Sequence, residues 1–221
     1  EAASQAIRAS FSAGEMSAGL KAALRAAYAS EFSGGSAPVA VRSSATTEDL
    51  PDLSFAGQQD TYLNVLGEEQ LLTAVVNCWS SLWTARAIGY RLRNGIDQRE
   101  AALAVIVQEM VAAEVSGVLF NANPLTGLLS ETVIDAAYGL GEALVSGQVE
   151  PDQYIVDTHA GRIVSKKLGA KRKSIRPRPG GGVVSVDESA AESQCLPDED
   201  ILRLAQIGGQ IQAEYGAPQD V

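Results

Sequence analysis

Apolar positions along the 221-residue chain switch between two periods. Between residues 4 and 31, Ile7, Phe11, Met16, Leu20, Leu24 and Tyr28 stand in an alanine-rich background, the last three at i, i+4 spacing, which predicts helix. Gly14 and the capping-type Ser17 divide it into two. Val39-Ala40-Val41 after Pro38 predicts a short buried strand that delivers Arg42-Ser43-Ser44 at its end. An aperiodic polar loop from Thr46 to Gln59 follows, and Gln59 to Val65 reads as a strand returning from it. From Glu68 to about Asn94, Leu71, Leu72, Val75, Val76, Trp79, Leu82, Trp83 and Ile88 share one helical face, so a single long helix is expected, stopped by Gly95. The five-residue run Leu103 to Val107 is too short for a helix and reads as a central strand ending at Gln108-Glu109-Met110-Val111. Strands at about 115–121 and 131–138 come next, then a hairpin pairing Tyr154-Ile155-Val156 with Arg162-Ile163-Val164. A last helix is predicted over about 198–215, with Ile201, Leu204, Ile207 and Ile211 on its buried face. Helices are grouped rather than alternating with strands, which is an α+β pattern.

Composition adds that a sizeable core is available, with 46% apolar and 20% charged residues. No apolar run approaches the roughly 20 residues of a membrane helix, so a soluble, cytoplasmic chain without a membrane partner is expected. The chain opens on Glu1 and stops at Pro218-Gln219-Asp220-Val221, which reads as a piece of something longer. Its net charge of −10 is unevenly spread: Arg162, Lys166, Lys167, Lys171, Arg172, Lys173, Arg176 and Arg178 are eight of 17 basic residues. The rest is strongly acidic, which disfavours nucleic acid as a partner. The basic stretch reads either as a solvated hairpin with a flexible Pro177–Gly182 linker, favoured on sequence, or as an anion-facing loop. Cys78 and Cys195 lie too far apart for metal-ligand spacing, and His159 sits at a hairpin tip, where a solvated turn residue is expected instead of a catalytic base.

Neither a P-loop pattern nor a complete dinucleotide fingerprint occurs. The candidate chemistry gathers instead at Arg42, an arginine leaving a buried strand into a Ser/Thr-rich loop. Its fork of donors suits phosphate oxygens, or equally an ion pair with Glu48 or Asp49 that pins the loop. Gly57 permits close backbone approach to a ligand, and Thr61 offers a hydroxyl from the next strand; an ordinary loop glycine and strand threonine are the alternatives. Gln108 with the backbone of Met110 and Val111 suits the edge and face of a purine, or simply caps a strand.

The run Ala40-Val41-Arg42-Ser43-Ser44-Ala45-Thr46-Thr47-Glu48-Asp49-Leu50-Pro51-Asp52-Leu53-Ser54-Phe55-Ala56-Gly57-Gln58-Gln59-Asp60-Thr61 closely resembles the N-terminal nucleotide-binding domain shared by phosphoenolpyruvate synthase, pyruvate phosphate dikinase and rifamycin phosphotransferase. The resemblance continues through Cys78 to Ile88, Val107 to Val111, Ser116 to Phe120 and Gly139 to Gly147. It implies an ATP-grasp-like fold with two lobes, incomplete at both ends: residues 1–110 for the first lobe and 111–221 for the second. It further implies ATP and Mg2+ as cofactors, and transfer of phosphate to a histidine on a separate swivelling domain and then to pyruvate or a rifamycin. Acceptor and histidine both belong to domains outside the chain, so this piece alone is expected to be inactive. By the family pattern Arg42 is the phosphate clamp and catalytic residue, Gly57 and Thr61 the phosphate-side loop, Gln108 an adenine-side contact, and Met110 with Val111 the hinge. The Trp-containing helix and Gly139 to Gly147 lean toward the rifamycin phosphotransferase or phosphoenolpyruvate synthase branch. The family's upstream Gly-Gly-Lys has no counterpart before Glu1, its downstream acid and Gln-x-Arg would come after Val221, and Asn121 and Asn123 replace the more usual Thr and Asp. The rival from another class is a nucleotide-binding or interaction module without chemistry of its own.

Overall fold

The computed structural model describes residues 1–46, 49–50, 53–54, 60–189 and 192–221, arranged as two compact units. Glu1–Val111 with Arg178–Val183 form one, and Ala112–Pro177 with Val184–Val221 the other.

In the first unit, helices α1 (Ala2–Ala13) and α2 (Ala18–Glu31) meet at the expected break, where the Ser17 hydroxyl accepts the Leu20 N–H at 3.3 Å. Such a cap contributes about 1 kcal/mol. Strand β1 (Val39–Ala45) is followed by the short strands β2 (Asp49–Leu50) and β3 (Leu53–Ser54), then β4 (Tyr62–Val65). Helices α3 (Gly67–Ser81) and α4 (Ala85–Arg93) and strand β5 (Leu103–Glu109) complete it. β4, β1 and β5 form an antiparallel sheet in that order. One face packs Val39, Val41, Val65, Leu71, Val75 and Cys78 into a core together with Tyr28. The Tyr28 hydroxyl donates to the Ala37 carbonyl at 2.7 Å and accepts the Gly67 N–H at 3.1 Å, fastening α2 to the start of α3.

The single helix expected between Glu68 and Asn94 is two helices. The Ser80 and Ser81 hydroxyls bond back to the carbonyls of Asn77 and Cys78, and Thr84 restarts the helix by accepting the Ala87 N–H at 3.3 Å. Hydroxyls of this kind compete with the backbone ladder, and a hydrophobic period does not register them.

The second unit is an antiparallel sheet of β6 (Val115–Phe120), β7 (Glu131–Tyr138), β8 (Asp152–Asp157) and β9 (Arg162–Lys167), in sequence order. A short helix α5 (Glu142–Val145) precedes β8, and a separate pair joins β10 (Lys173–Pro177) to β11 (Val183–Asp187). Helix α6 (Asp198–Tyr215) covers one sheet face, burying Ile201 and Ala205 against Leu119, Ile134, Tyr154 and Val156. Asp198, Glu199 and Asp200 occupy its first turn, where carboxylates favour the helix dipole, and Gly216 ends it at φ 70°. Ile207, expected on the buried face, is 40% exposed; Gly208 sits against the sheet instead. Gln219–Val221 extend along β6, Leu119 and Val221 exchanging two backbone bonds of 2.8 Å.

Most of the basic stretch is exposed, as the solvated reading expects, and the departure is at Lys171. Lys171 is fully buried, with its ammonium on the Asp152 carboxylate and on the Gly169 carbonyl at 3.0 Å. Arg176 pairs with Glu188 at 2.7 Å, and Lys166 with Asp198. Acids distant in sequence take up these three cations, which a local charge count misses. Residues 177–182, expected as a flexible linker, form a held turn: the Asn64 side-chain amide donates to the carbonyls of Arg178 and Gly182, at 2.8 and 2.6 Å. His159 lies at its exposed hairpin tip as expected, its backbone N–H donating to Asp157.

Candidate nucleotide site

β1 alternates. Val39 and Val41 point into the core, so Arg42 and Ser44 project from the opposite, open face. Antiparallel register sets Arg42 opposite Ile106 and Ala40 opposite Gln108, which places Arg42, Ile106 and Gln108 on that same face. The Arg42 Nη1 donates to the Gln108 Oε1 at 3.4 Å. Two residues 66 apart in sequence are therefore brought together on an exposed surface. The guanidinium has further donors, and the Gln108 amide nitrogen offers two more.

Thr61 lies exposed one residue before Tyr62, which pairs with Val41, so it stands at the Arg42 end of β1 on the side away from β5. Gly57 lies outside the described residues. Met110 is half-buried and spends its backbone N–H on the Pro38 carbonyl at 3.0 Å, while Val111 is 78% exposed.

Asp60 organises the neighbourhood in a way the sequence did not single out. Its carboxylate receives Arg86 at 3.2 Å and Arg8 at 3.6 Å, and its carbonyl lies 3.8 Å from the Cys78 sulfur. Burial first, and the Asp60 charge second, push the Tyr62 hydroxyl up to about 12 and the Cys78 thiol up to about 11. Both stay protonated at neutral pH, so neither is a nucleophile here. The contacts fix the start of β4, beside Thr61. Their partners on α1 and α4 are remote in sequence, and no local pattern announces them.

In the second unit, Asn121 and Asn123 have structural duties. The Asn121 Oδ1 accepts the Gln219 N–H at 3.2 Å. Asn123 holds a turn by accepting the N–H groups of Leu125 and Thr126 while donating to Glu131 at 2.6 Å. Among the described residues, no three His, Cys, Asp or Glu side chains converge to hold a metal ion, and no helix is long and apolar enough to cross a membrane.

Comparisons with known proteins identify the family. The family profile described as "Pyruvate phosphate dikinase, AMP/ATP-binding domain" matches residues 1–221. A probable phosphoenolpyruvate synthase of Pyrococcus abyssi is 48% identical over 191 residues, 83% of this chain and 23% of the relative. The rifampicin phosphotransferase of Bacillus subtilis is 48% identical over 198 residues, 89% of this chain and 22% of the relative. A probable phosphoenolpyruvate synthase of Archaeoglobus fulgidus is 47% identical over 184 residues, with 83% and 24% covered. The chain thus spans less than a quarter of these relatives' length, within their N-terminal domain. By the whole-length profile and the near-half identity, this chain belongs to the pyruvate phosphate dikinase AMP/ATP-binding domain family.

Proposed function

We propose that the chain is the ATP-binding part of a dikinase-type phosphotransferase, and that the open face of β1 and β5 receives the nucleotide. The observation that carries this is the Arg42–Gln108 pair, two multi-donor side chains held 3.4 Å apart on an exposed sheet face. In this reading Arg42 neutralises phosphate charge and Thr61 donates from the position just before β4. Gln108 and the Val111 N–H address the purine edge, with the Met110 side chain against its face, and Gly57 gives the phosphates a close backbone approach. The two compact units are the two lobes of an ATP-grasp-like domain.

Phosphoryl transfer asks little covalent chemistry of the protein, so alignment and charge neutralisation by these groups are its contribution. Magnesium, when bound, would supply positive charge that offsets the phosphates. Among the described residues no three His, Cys, Asp or Glu side chains converge to hold it, and no step of this reading runs through it. The acceptor is pyruvate or a rifamycin, reached through a phosphohistidine on another domain, in a cytoplasmic protein. The choice of acceptor is supported by the names of the relatives, and the phosphohistidine by the resemblance of the Ala40 to Thr61 run to the dikinase family.

The test uses the full-length protein with Mg-ATP and either pyruvate or rifampicin. Phosphorylation of one acceptor, with phosphate passing through an acid-labile phosphohistidine, is the expected result. Modification of neither acceptor, with ATP bound but unconsumed, would leave the rival reading of a binding module.

A further inference from the structure

β6 has a partner strand on one side only. Its register with β7, and the Gly139 N–H on the Glu114 carbonyl, direct the backbone of Ser116, Val118 and Phe120 toward β7. The N–H and C=O groups of Val115, Gly117 and Leu119 therefore face the other edge. There Leu119 exchanges two bonds with Val221, and the Asn121 N–H donates to the Gln219 carbonyl at 3.1 Å. Among the described residues no backbone pairs with Val115 or Gly117 on that edge.

Beside this unpaired stretch lies an apolar cavity of about 270 Å³, between β6 and the Leu204, Ile207 and Gly208 positions of α6. Gly117 lines it and cannot fill it, because a Cβ there would lie 2.4 Å from the Asp135 carbonyl oxygen. Ile207 and Val221, which also line it, keep 40% and 51% exposure, so the cavity is open to solvent. An apolar cavity of ~150 Å³ takes up benzene, so this one has room for an aromatic side chain. An unpaired strand edge is in turn a template for another strand.

Val221 sets the register of that strand. The pairing is antiparallel, so each step beyond Val221 moves one residue back along β6: the first position faces Val118, the second Gly117 and the fourth Val115. Directly opposed residues share a face, which puts the second and fourth on the α6 side and the second over the cavity. The matched stretch is less than a quarter of the relatives and lies in their N-terminal domain, so further polypeptide is available to supply it.

We infer that the polypeptide following Val221 in the full-length protein continues along β6 as a further strand of this sheet, its second residue placing a large apolar side chain, aromatic in class, in the cavity over Gly117. Continuity selects this occupant over a second copy of the chain: Val221 is already in register, so extension carries no association cost. The site is separate in residues from Arg42 and Gln108, and it stands or falls apart from the nucleotide reading.

Amide hydrogen exchange on the full-length protein is the test. The Val115 and Gly117 N–H groups should exchange about 100-fold slower than unpaired amides, whatever the protein concentration. Ile207→Asp, which sets a carboxylate at the cavity, should speed both while Ser116 and Val118, bonded to β7, stay protected. The second residue encoded after Val221 should be large and apolar. Free exchange at Val115 and Gly117 in the unaltered protein overturns the inference, and so does a charged residue at that second position. Protection that grows with protein concentration also overturns it, by marking a second copy as the occupant. If Ile207→Asp does not fold, exchange in the unaltered protein decides alone.

Discussion

Lys171 and Asp152 form an ion pair in which neither side chain keeps any solvent exposure. The carboxylate also accepts the backbone N–H groups of Gly169 and Cys195, each at 2.9 Å, and the Tyr154 hydroxyl at 2.8 Å. Both oxygens are thus used, and the pair joins β8, the segment after β9 and the approach to α6. Truncating one member leaves the other charged and buried. Lys171→Met should therefore destabilise the second unit by about 3–5 kcal/mol, and Asp152→Asn similarly, measured as urea midpoints. Replacing both together should cost less than the sum of the single changes.

The same pair sets an acid limit. Burial alone would raise the Asp152 carboxyl, but Lys171, the two backbone N–H groups and the Tyr154 hydroxyl outweigh it and hold it below its ordinary value. A carboxyl depressed in the folded state contributes stability above its unfolded value of about 3.9, and that contribution is lost as pH falls through the folded value. Unfolding free energy should change little on this account from pH 7 to about 5 and decline below about 4. Asp152→Asn should flatten that decline. An equal acid response in variant and parent would place the titrating group elsewhere.

Gly208 and Gly209 are neighbours in α6 with opposite demands. A Cβ at Gly208 would lie 2.7 Å from the Leu119 Cδ2 and 2.9 Å from the Asn121 Nδ2, whereas one at Gly209 meets nothing within 4 Å. Gly208→Ala should destabilise by about 1–3 kcal/mol through overpacking, and Gly209→Ala should stabilise by about 0.5–1 kcal/mol through helix propensity. Thermal melts of the two single variants check both signs.

Asn64 reaches positive φ, 55°, and its amide holds the carbonyls of Arg178 and Gly182. Asn64→Gly keeps the backbone freedom and removes the clamp, so any loss reports the hydrogen bonds. A loss of about 1–3 kcal/mol, with faster amide exchange at residues 178–182, is expected. Unchanged exchange there would mean that other contacts hold the turn.

Legibility in the sequence followed the range of the interactions. α6 was readable almost to the residue, because Pro197, three acids, a spaced apolar face and Gly216 all act within the helix. β6 and β7 were equally local. β1 runs through Ala45, beyond the expected Val41, because pairing with β5 outweighs the polarity of Ser43 and Ser44. What escaped depends on partners far along the chain: Asp152 for Lys171, Asp60 for Arg8 and Arg86, Asn64 for the glycine turn. For the candidate site, the residue types and the two strands were readable. The cross-strand register that joins Arg42 to Gln108, and the use of the Met110 N–H by Pro38, emerged only from the fold.

The central claim is that ATP binds the open face of β1 and β5 through Arg42. Calorimetric titration of Mg-ATP into the protein and its Arg42→Ala and Arg42→Lys variants tests it most directly. The account predicts an affinity loss of about 10- to 100-fold for alanine, since hydrogen bonds to charged groups contribute about 1.5–3 kcal/mol, and a smaller loss for lysine, which keeps the charge without the fork. ATP affinity unchanged by Arg42→Ala would contradict it.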